Sequence, residues 1–295
     1  MKRHPIAALV RAMRPWQWSK NVLVFVAPGA AGALVHSHTA LQALGAFGVF
    51  CAAASATYLV NDSIDVELDR SHPTKRHRPI ASGDLRLVVA LISAAILFTG
   101  ALVGAGFISG YQFVAVVASY CAITVSYSLW LKNQPVIEMT AVAAGFVLRA
   151  VGGGIATHVA LSNWFLVVTS FGALFLVIGK RTGEHETLGE QRGSHRSTLD
   201  LYSPQFLRSA LTLSAAGAVT TYCLWAFDKS GLSHHTHHLV LIEISVAPVI
   251  TAVLYVLRIL DAGGGGSPTR LVVEERTLAV LVVLWASLVS LGVYA

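Results

Sequence analysis

Leu87-Val88-Val89-Ala90-Leu91-Ile92-Ser93-Ala94-Ala95-Ile96-Leu97-Phe98-Thr99-Gly100-Ala101-Leu102-Val103 is apolar on nearly every face of a helix and holds no charged residue. A helix on the surface of a soluble domain would keep a polar face. The period-2 alternation of a membrane β-strand is absent as well. In lipid a helix satisfies its own backbone, and about 20 apolar residues cross a hydrocarbon core of about 30 Å. The stretch reads as a transmembrane helix, and it decides the fold class.

Outward from it, the same reading yields nine spans near residues 21–36, 40–60, 86–107, 112–131, 136–156, 163–180, 206–227, 239–259 and 275–294. The expectation is an all-α polytopic membrane protein with residues 1–295 in one integral membrane domain. Composition agrees: of 295 residues, 55% are hydrophobic and 12% charged, where a soluble domain carries about a quarter charged. Segment 1–20 is basic and broken by Pro15, without the short apolar core and small-residue site of a cleavable signal. Cys51, Cys121 and Cys223 lie far apart in apolar runs and read as small buried residues rather than as a metal or redox set.

Charge sets the orientation. Of the 21 Lys and Arg, 19 fall in the N-terminal segment or in the loops after the second, fourth, sixth and eighth spans. The opposite side holds Lys229, and Arg149 lies within a span. Basic loops favour the cytoplasm, which places the N-terminus and these loops there, in a multi-pass plasma-membrane protein. The net charge of +6 is thereby explained by orientation and by anionic headgroups or substrates. It does not call for nucleic acid.

Polar residues gather in two of these cytoplasmic regions. The first, about 61–86, runs Asn61-Asp62-Ser63-Ile64-Asp65-Val66-Glu67-Leu68-Asp69-Arg70 and continues to Lys75, Arg76 and Arg78. Asp62, Asp65 and Asp69 stand at i, i+3 and i+7, within about 60° of arc on one helix face. Carboxylates crowded at a membrane helix end repel one another unless a cation lies between them. Hard oxygen ligands suit Mg²⁺, which shares its shell with substrate phosphates. Lys75, Arg76 and Arg78 can hold further phosphate oxygens. The bland alternative is a solvated interfacial loop laced with salt bridges.

The second region, about 180–208, reads as a loop that leaves the apolar run 164–178 abruptly, with Lys180, Arg181, Glu184, Arg196 and Tyr202. Lys180 and Arg181 suit phosphate binding, or merely complement the helix C-terminus and headgroups. Glu138 and Arg149 are buried charges eleven residues apart on one span, about 16 Å along its axis, so each needs a partner elsewhere. Arg149 serves equally as a phosphate ligand or a brace. Gly152-Gly153-Gly154 reads as the end of that helix. The His234-His235-Thr236-His237-His238 run reads as a solvated outer loop, and Gly263-Gly264-Gly265-Gly266 as a flexible one.

The Asn61-Asp62-x-x-Asp65-x-x-x-Asp69 pattern resembles the first aspartate-rich motif of the UbiA superfamily of intramembrane prenyltransferases. Four further stretches resemble one branch of it, the decaprenyl-phosphate phosphoribosyltransferases of actinobacteria. They are Arg14-Pro15-Trp16-Gln17-Trp18-Ser19-Lys20-Asn21, His72 through Arg76 with Arg78 through Gly83, Tyr127 through Lys132, and Gly179-Lys180-Arg181. The resemblance covers essentially the whole chain. It implies a nine-helix bundle with its polar site at the cytoplasmic mouth. It implies Mg²⁺ on Asp62, Asp65 and Asp69, and transfer of 5-phosphoribose from phosphoribosyl diphosphate to a polyprenyl monophosphate such as decaprenyl phosphate. The product leads to the arabinose donor of the cell wall. The implied substrate-binding residues are Lys20, Asn21, Asn61, Lys75, Arg76, Arg78, Tyr127, Lys132, Arg149, Lys180, Arg181, Glu184 and Arg196. The chain departs from the superfamily where a second aspartate-rich motif is usual: Lys180, Arg181 and Glu184 stand there.

Two other readings compete. An aromatic prenyltransferase of the same superfamily would use a prenyl diphosphate and a second carboxylate motif. A lipid transporter or scaffold would spread polar residues through the membrane depth. A second copy of the chain is a further candidate partner, since apolar helix faces can pack on one another in lipid.

Overall fold

A computed structural model describes residues 5–188, 197–231, 240–263, 271 and 274–295. The described residues are helical, without strands. The chain divides into two compact units. One comprises Met1–Gly29, Ala33–Lys132 and Ala144–Ala160; the other comprises Ala30–Gly32, Asn133–Ala143 and Leu161–Ala295.

In the first unit, α1 (Pro5–Met13) leads through Arg14 into a 3-10 run, Pro15–Phe25, and the short α2 (Val26–Ala30). The span expected over 21–36 is therefore a broken helical run rather than one long α-helix. Gly32, at φ 73°, turns the chain between α2 and a last 3-10 turn, Ala33–Val35. Next come α3 (Ser37–Ile64), α4 (Val66–Ser71) and α5 (Leu87–Leu129). At 43 residues, a straight α5 would be about 65 Å long, twice a bilayer core. It is two helical runs separated at Ser109 and Gly110, where Gly110 takes φ 68°, ψ −158°, a conformation only glycine adopts readily. Residues from both sides of the break, Ala101 and Ala105 with Phe113, Val117 and Tyr120, pack into one cluster around Phe50 of α3. The two expected spans 86–107 and 112–131 are these two runs.

A second apolar cluster lies at the other end of α3. Ala8 and Ala12 of α1 meet Ala56 and Leu59 of α3, Ile80 and Leu85 of the connecting loop, and Ala90 and Ala94 of α5. Arg14, Asp62 and Arg78 each stand two or three residues from a member of this cluster, so apolar packing fixes where their backbones lie.

Helix α6 (Ile137–Ala156) runs through Gly152-Gly153-Gly154 rather than ending there. The glycines are a packing device. A Cβ on Gly153 would stand 1.8 Å from the Val24 carbonyl oxygen, and one on Gly152 2.6 Å from the Phe50 ring. Small residues permit such close approach between membrane helices. Gly153→Ala is expected to cost about 1–3 kcal/mol, because backbone cannot step aside as a side chain can. The melting temperature in detergent should drop clearly below that of Gly100→Ala, whose added methyl meets nothing within 4 Å. Equal melting temperatures would remove Gly153 from the packing argument.

The second unit holds α7 (Asn163–Leu188), α8 (Pro204–Gly231), α9 (Val240–Ile244), α10 (Val246–Asp261) and α11 (Arg276–Tyr294). Gly217 lets α8 close on Phe171 of α7. Ser245, between α9 and α10, bonds Tyr222 Oη of α8 at 2.6 Å, and Trp285 Nε1 of α11 donates to that same Oη at 2.7 Å. Buried polar groups in lipid need such partners.

Among the described residues, seven helices are long and apolar enough to cross a membrane. They include α5 as one, and α9 with α10 as one. Helix α7 extends beyond the expected end at 180 to Leu188, so Lys180, Arg181 and Glu184 sit on a helix and not in a loop. Hydropathy ends near Ile178, but helix propensity does not, and Arg181–Glu184 and Lys180–Glu184 support the last turns as i, i+3 and i, i+4 pairs.

Candidate functional site

The α3 helix ends at Ile64, and Asp65 stands at φ −87°, ψ 7° between α3 and α4. This break changes the expected arrangement of carboxylates. On an unbroken helix Asp62, Asp65 and Asp69 would share a face. Instead Asp62 and Asp69, both buried at 2% exposure, converge on one guanidinium nitrogen. Arg78 Nη1 donates to Asp62 Oδ1 at 3.1 Å and to Asp69 Oδ2 at 2.7 Å. Arg14 Nη2 donates to both oxygens of Asp62, at 2.6 and 2.8 Å, and its guanidinium carbon lies 4.9 Å over the Tyr58 ring. Asp65 turns elsewhere and receives Lys132 Nζ at 2.6 Å. Burial pushes the Asp69 carboxyl above its ordinary value, against the opposing pull of Arg78.

Two buried carboxylates therefore face two guanidinium groups in a neutral cluster, with Asp65–Lys132 as a separate ion pair. Charged groups of this kind are buried only when paired. Among the described residues no three His, Cys, Asp or Glu side chains come together as a metal-binding group. The donor set nevertheless fits Mg²⁺. Asp62 and Asp69 already flank a single cationic atom, their ligand atoms are hard oxygens, and Mg²⁺ commonly takes one or two carboxylates with the remaining shell from phosphate and water.

The neighbouring basic loop is organised by His72. Its Nδ1 accepts the backbone N–H of Thr74 at 3.2 Å and of Lys75 at 3.3 Å. This starts the 3-10 turn Lys75–His77, which presents Lys75 half-buried and Arg76 exposed. Asn61 is half-buried and its carbonyl accepts the Asp65 amide. Lys20 is exposed on the 3-10 run and Tyr127 is half-buried on α5.

Asn21 and Arg149 lie deeper in the first unit. Arg149, at 7% exposure, donates to Asn21 Oδ1 at 2.7 Å, to the Gly145 carbonyl at 2.6 Å and to Tyr120 Oη at 2.8 Å. Asn21 in turn donates to Cys51 Sγ at 3.3 Å. These partners are neutral, and they spread the guanidinium charge over a wall of acceptors and the Tyr120 ring. On α3, Cys51 lies about 16 Å from Asp62 along the axis. Arg149 with Asn21 nevertheless borders the carboxylate cluster, because Tyr58 of α3, whose ring Arg14 covers, lies within electrostatic reach of Arg149, Arg14 and Asp62 alike.

In the second unit, Glu138 is fully buried and takes a two-pronged contact from Arg181, Nε to Oε1 at 2.8 Å and Nη2 to Oε2 at 3.0 Å. Arg181 Nη1 reaches Glu184 Oε2 at 2.9 Å. The partner Glu138 needed is Arg181, and Arg181 is itself held between two carboxylates. Lys180 is exposed, with Nζ 3.5 Å from Glu184. Tyr202 Oη accepts the amide of Val136, whose φ of 66° is rare for a β-branched residue. Arg196 and the His234–His238 run lie outside the described residues.

In the sequence Arg14 counts toward orientation and opens the stretch Arg14–Asn21 that resembles the phosphoribosyltransferase branch, but it stands outside the site residues which that resemblance implies. The signal that marks it is its place before Pro15, at the joint between two helical runs whose apolar faces pack beside Asp62.

Residues 22–273 match the profile of the UbiA prenyltransferase family. The chain belongs to that family. Among its relatives is a decaprenyl-phosphate phosphoribosyltransferase of Corynebacterium glutamicum, 40% identical over 97% of this chain and 86% of that protein. The Mycobacterium tuberculosis H37Rv protein of the same name is 38% identical over 98% of this chain and 95% of that one. The fold is likewise that of solved UbiA members. A UbiA homolog from Archaeoglobus fulgidus, solved with DMAPP and Mg²⁺, superposes with a TM-score of 0.70 at 17% identity, covering 96% of this chain and 97% of that one.

Proposed function

We propose that this UbiA-family enzyme transfers the 5-phosphoribosyl group of phosphoribosyl diphosphate to a polyprenyl monophosphate of the decaprenyl type. Its near-full-length identity to proteins named decaprenyl-phosphate phosphoribosyltransferase carries this reading. An oxygen of the lipid phosphate attacks the anomeric carbon of the ribose. The bond from that carbon to the diphosphate breaks, and diphosphate leaves with the electron pair. The lipid phosphate is already anionic near neutral pH, so no strong general base is needed.

Asp62 and Asp69 would hold Mg²⁺, and Asp65 would join them on release from Lys132. Bound there, Mg²⁺ supplies Lewis-acid neutralisation of the departing diphosphate. Arg78, Lys75 and Arg76 bind phosphate oxygens from the loop that His72 orders, with arginine offering its two-pronged fork. Lys132, the partner of Asp65, adds a cation for a phosphate oxygen. Within the first unit Lys20, Asn61 and Tyr127 are the further substrate-binding candidates, and in the second unit Lys180 is the exposed cation. The product is a polyprenyl-phosphoryl phosphoribose, a precursor for cell-wall arabinan.

Nine crossings follow if α5 counts as two and the 15–35 run as the first, with residues 1–295 acting as one integral domain. The N-terminus and the carboxylate end of α3 then face the cytoplasm at the plasma membrane, in keeping with the basic loops.

A transfer assay tests the reaction. Purified protein in detergent receives Mg²⁺, polyprenyl monophosphate and labelled phosphoribosyl diphosphate, and the lipid phase is counted. Label should enter the lipid, and chelation of Mg²⁺ should stop it. If a well-folded preparation instead turns over a prenyl diphosphate with an aromatic acid, and leaves the ribose donor untouched, the proposal fails.

A further inference from the structure

Arg14 holds an unusual position. Its backbone is left-handed, φ 53°, ψ 61°, a conformation that favours glycine or asparagine over a long side chain. Yet α1 is anchored through buried Ala8 and Ala12, so the joint is fixed and the side chain is directed onto Asp62. Burial within that pair is unequal. The Arg14 side chain is 20% exposed, whereas that of Asp62 is 2% exposed. Arg14 can therefore leave toward an outside ligand, while Asp62 stays where it is.

Charge completes the argument, which rests on the metal-site reading above. Asp62, Asp69, Arg14 and Arg78 are neutral as a group. A divalent cation on the two carboxylates leaves both guanidinium groups without their partners and the cluster at a charge of plus two. A diphosphate removes that excess and offers each arginine new oxygen acceptors of the geometry a guanidinium prefers. A cation alone must compete with Arg14 for Asp62 and gains nothing in return.

We propose that Arg14 is an exchangeable counter-ion, bound to Asp62 in the free enzyme and handed to a diphosphate oxygen when metal and diphosphate enter together. Arg14 thereby makes the two ligands interdependent. Each tightens the other by the same factor, as linkage requires.

The experiment measures Mn²⁺ binding by electron paramagnetic resonance on the full chain in detergent, with and without inorganic diphosphate. Wild-type protein should bind Mn²⁺ weakly alone and more tightly with diphosphate. Arg14→Gly removes the side chain while easing the left-handed backbone. It should bind Mn²⁺ alone about tenfold more tightly and lose about tenfold of the diphosphate-dependent gain, the scale of one charge-assisted contact. These changes have opposite signs. A bracing role for Arg14 would weaken both or move neither, and either result overturns the proposal. Arg14→Lys keeps the charge without the fork. It should retain the competition for Asp62 and lose part of the diphosphate gain, and it decides the matter if Arg14→Gly does not fold; an undiminished gain overturns the exchange. Wild-type protein that binds no Mn²⁺ even with diphosphate would instead remove the metal site itself.

Discussion

Asp62→Asn and Asp69→Asn are each expected to lower single-turnover transfer by about three orders of magnitude, the scale of losing one preorganised group that stabilises developing negative charge. Asparagine keeps the shape and one oxygen but cannot supply the charge that holds a hard cation. Each variant leaves Arg78 one of its two carboxylates, at 3.1 Å or 2.7 Å, so the loop 78–85 and its apolar anchors Ile80 and Leu85 stay in place. Asp62→Asn also frees Arg14, but that side chain is 20% exposed and can turn to solvent, so melting temperature should shift by only a few degrees while turnover collapses. Asp65→Asn should lose turnover on the same scale, with Lys132 released rather than Arg78. The measurement is a rapid-quench transfer assay beside a thermal scan of each variant. Turnover within tenfold of wild type in either Asp62→Asn or Asp69→Asn, on folded protein, would take the pair out of the metal site.

The fold class was legible because lipid leaves few alternatives: long apolar runs must be helices, and residues 87–129 declared two of them. The carboxylates were legible too, since charge at a membrane helix end demands a partner. Four things were not. The break at Asp65 turns on local backbone angles, which no residue type in Ser63-Ile64-Asp65-Val66 announces. Without it Asp65 could not face Lys132 while Asp62 and Asp69 share Arg78. The run of Lys180, Arg181 and Glu184 looked like a loop because hydropathy stops at Ile178, whereas the helix continues on ion pairs between successive turns. The glycines 152–154 looked like a terminator because glycine often is one; here their missing side chains admit Val24 and Phe50. Arg14 was visible as a charge and invisible as a ligand, since its role depends on a tertiary contact 48 residues away in sequence.

Arg181→Ala is expected to destabilise the protein more than any other single change in the second unit. Arg181 is the two-pronged partner of Glu138, which has no exposed surface. Truncating one member of a buried ion pair leaves the other charged and unpaired, at a cost of about 3–5 kcal/mol. Glu184 suffers less, because Lys180 lies 3.5 Å from it and solvent reaches that pair. The double variant Glu138→Leu/Arg181→Met removes both charges and keeps the volume, a replacement that buried pairs often tolerate. It should recover most of the lost melting temperature. The same protein separates two roles for Arg181. Held between Glu138 and Glu184, Arg181 has its donors spent on protein, so the double variant should keep a donor KM within about threefold of wild type, less than one lost charge-assisted bond. If stability returns but the donor KM rises tenfold or more, Arg181 binds phosphate directly and the brace is incidental. If stability does not return, the Glu138–Arg181 pair does more for the unit than balance charge, and the neutral packing offered in its place is the wrong shape.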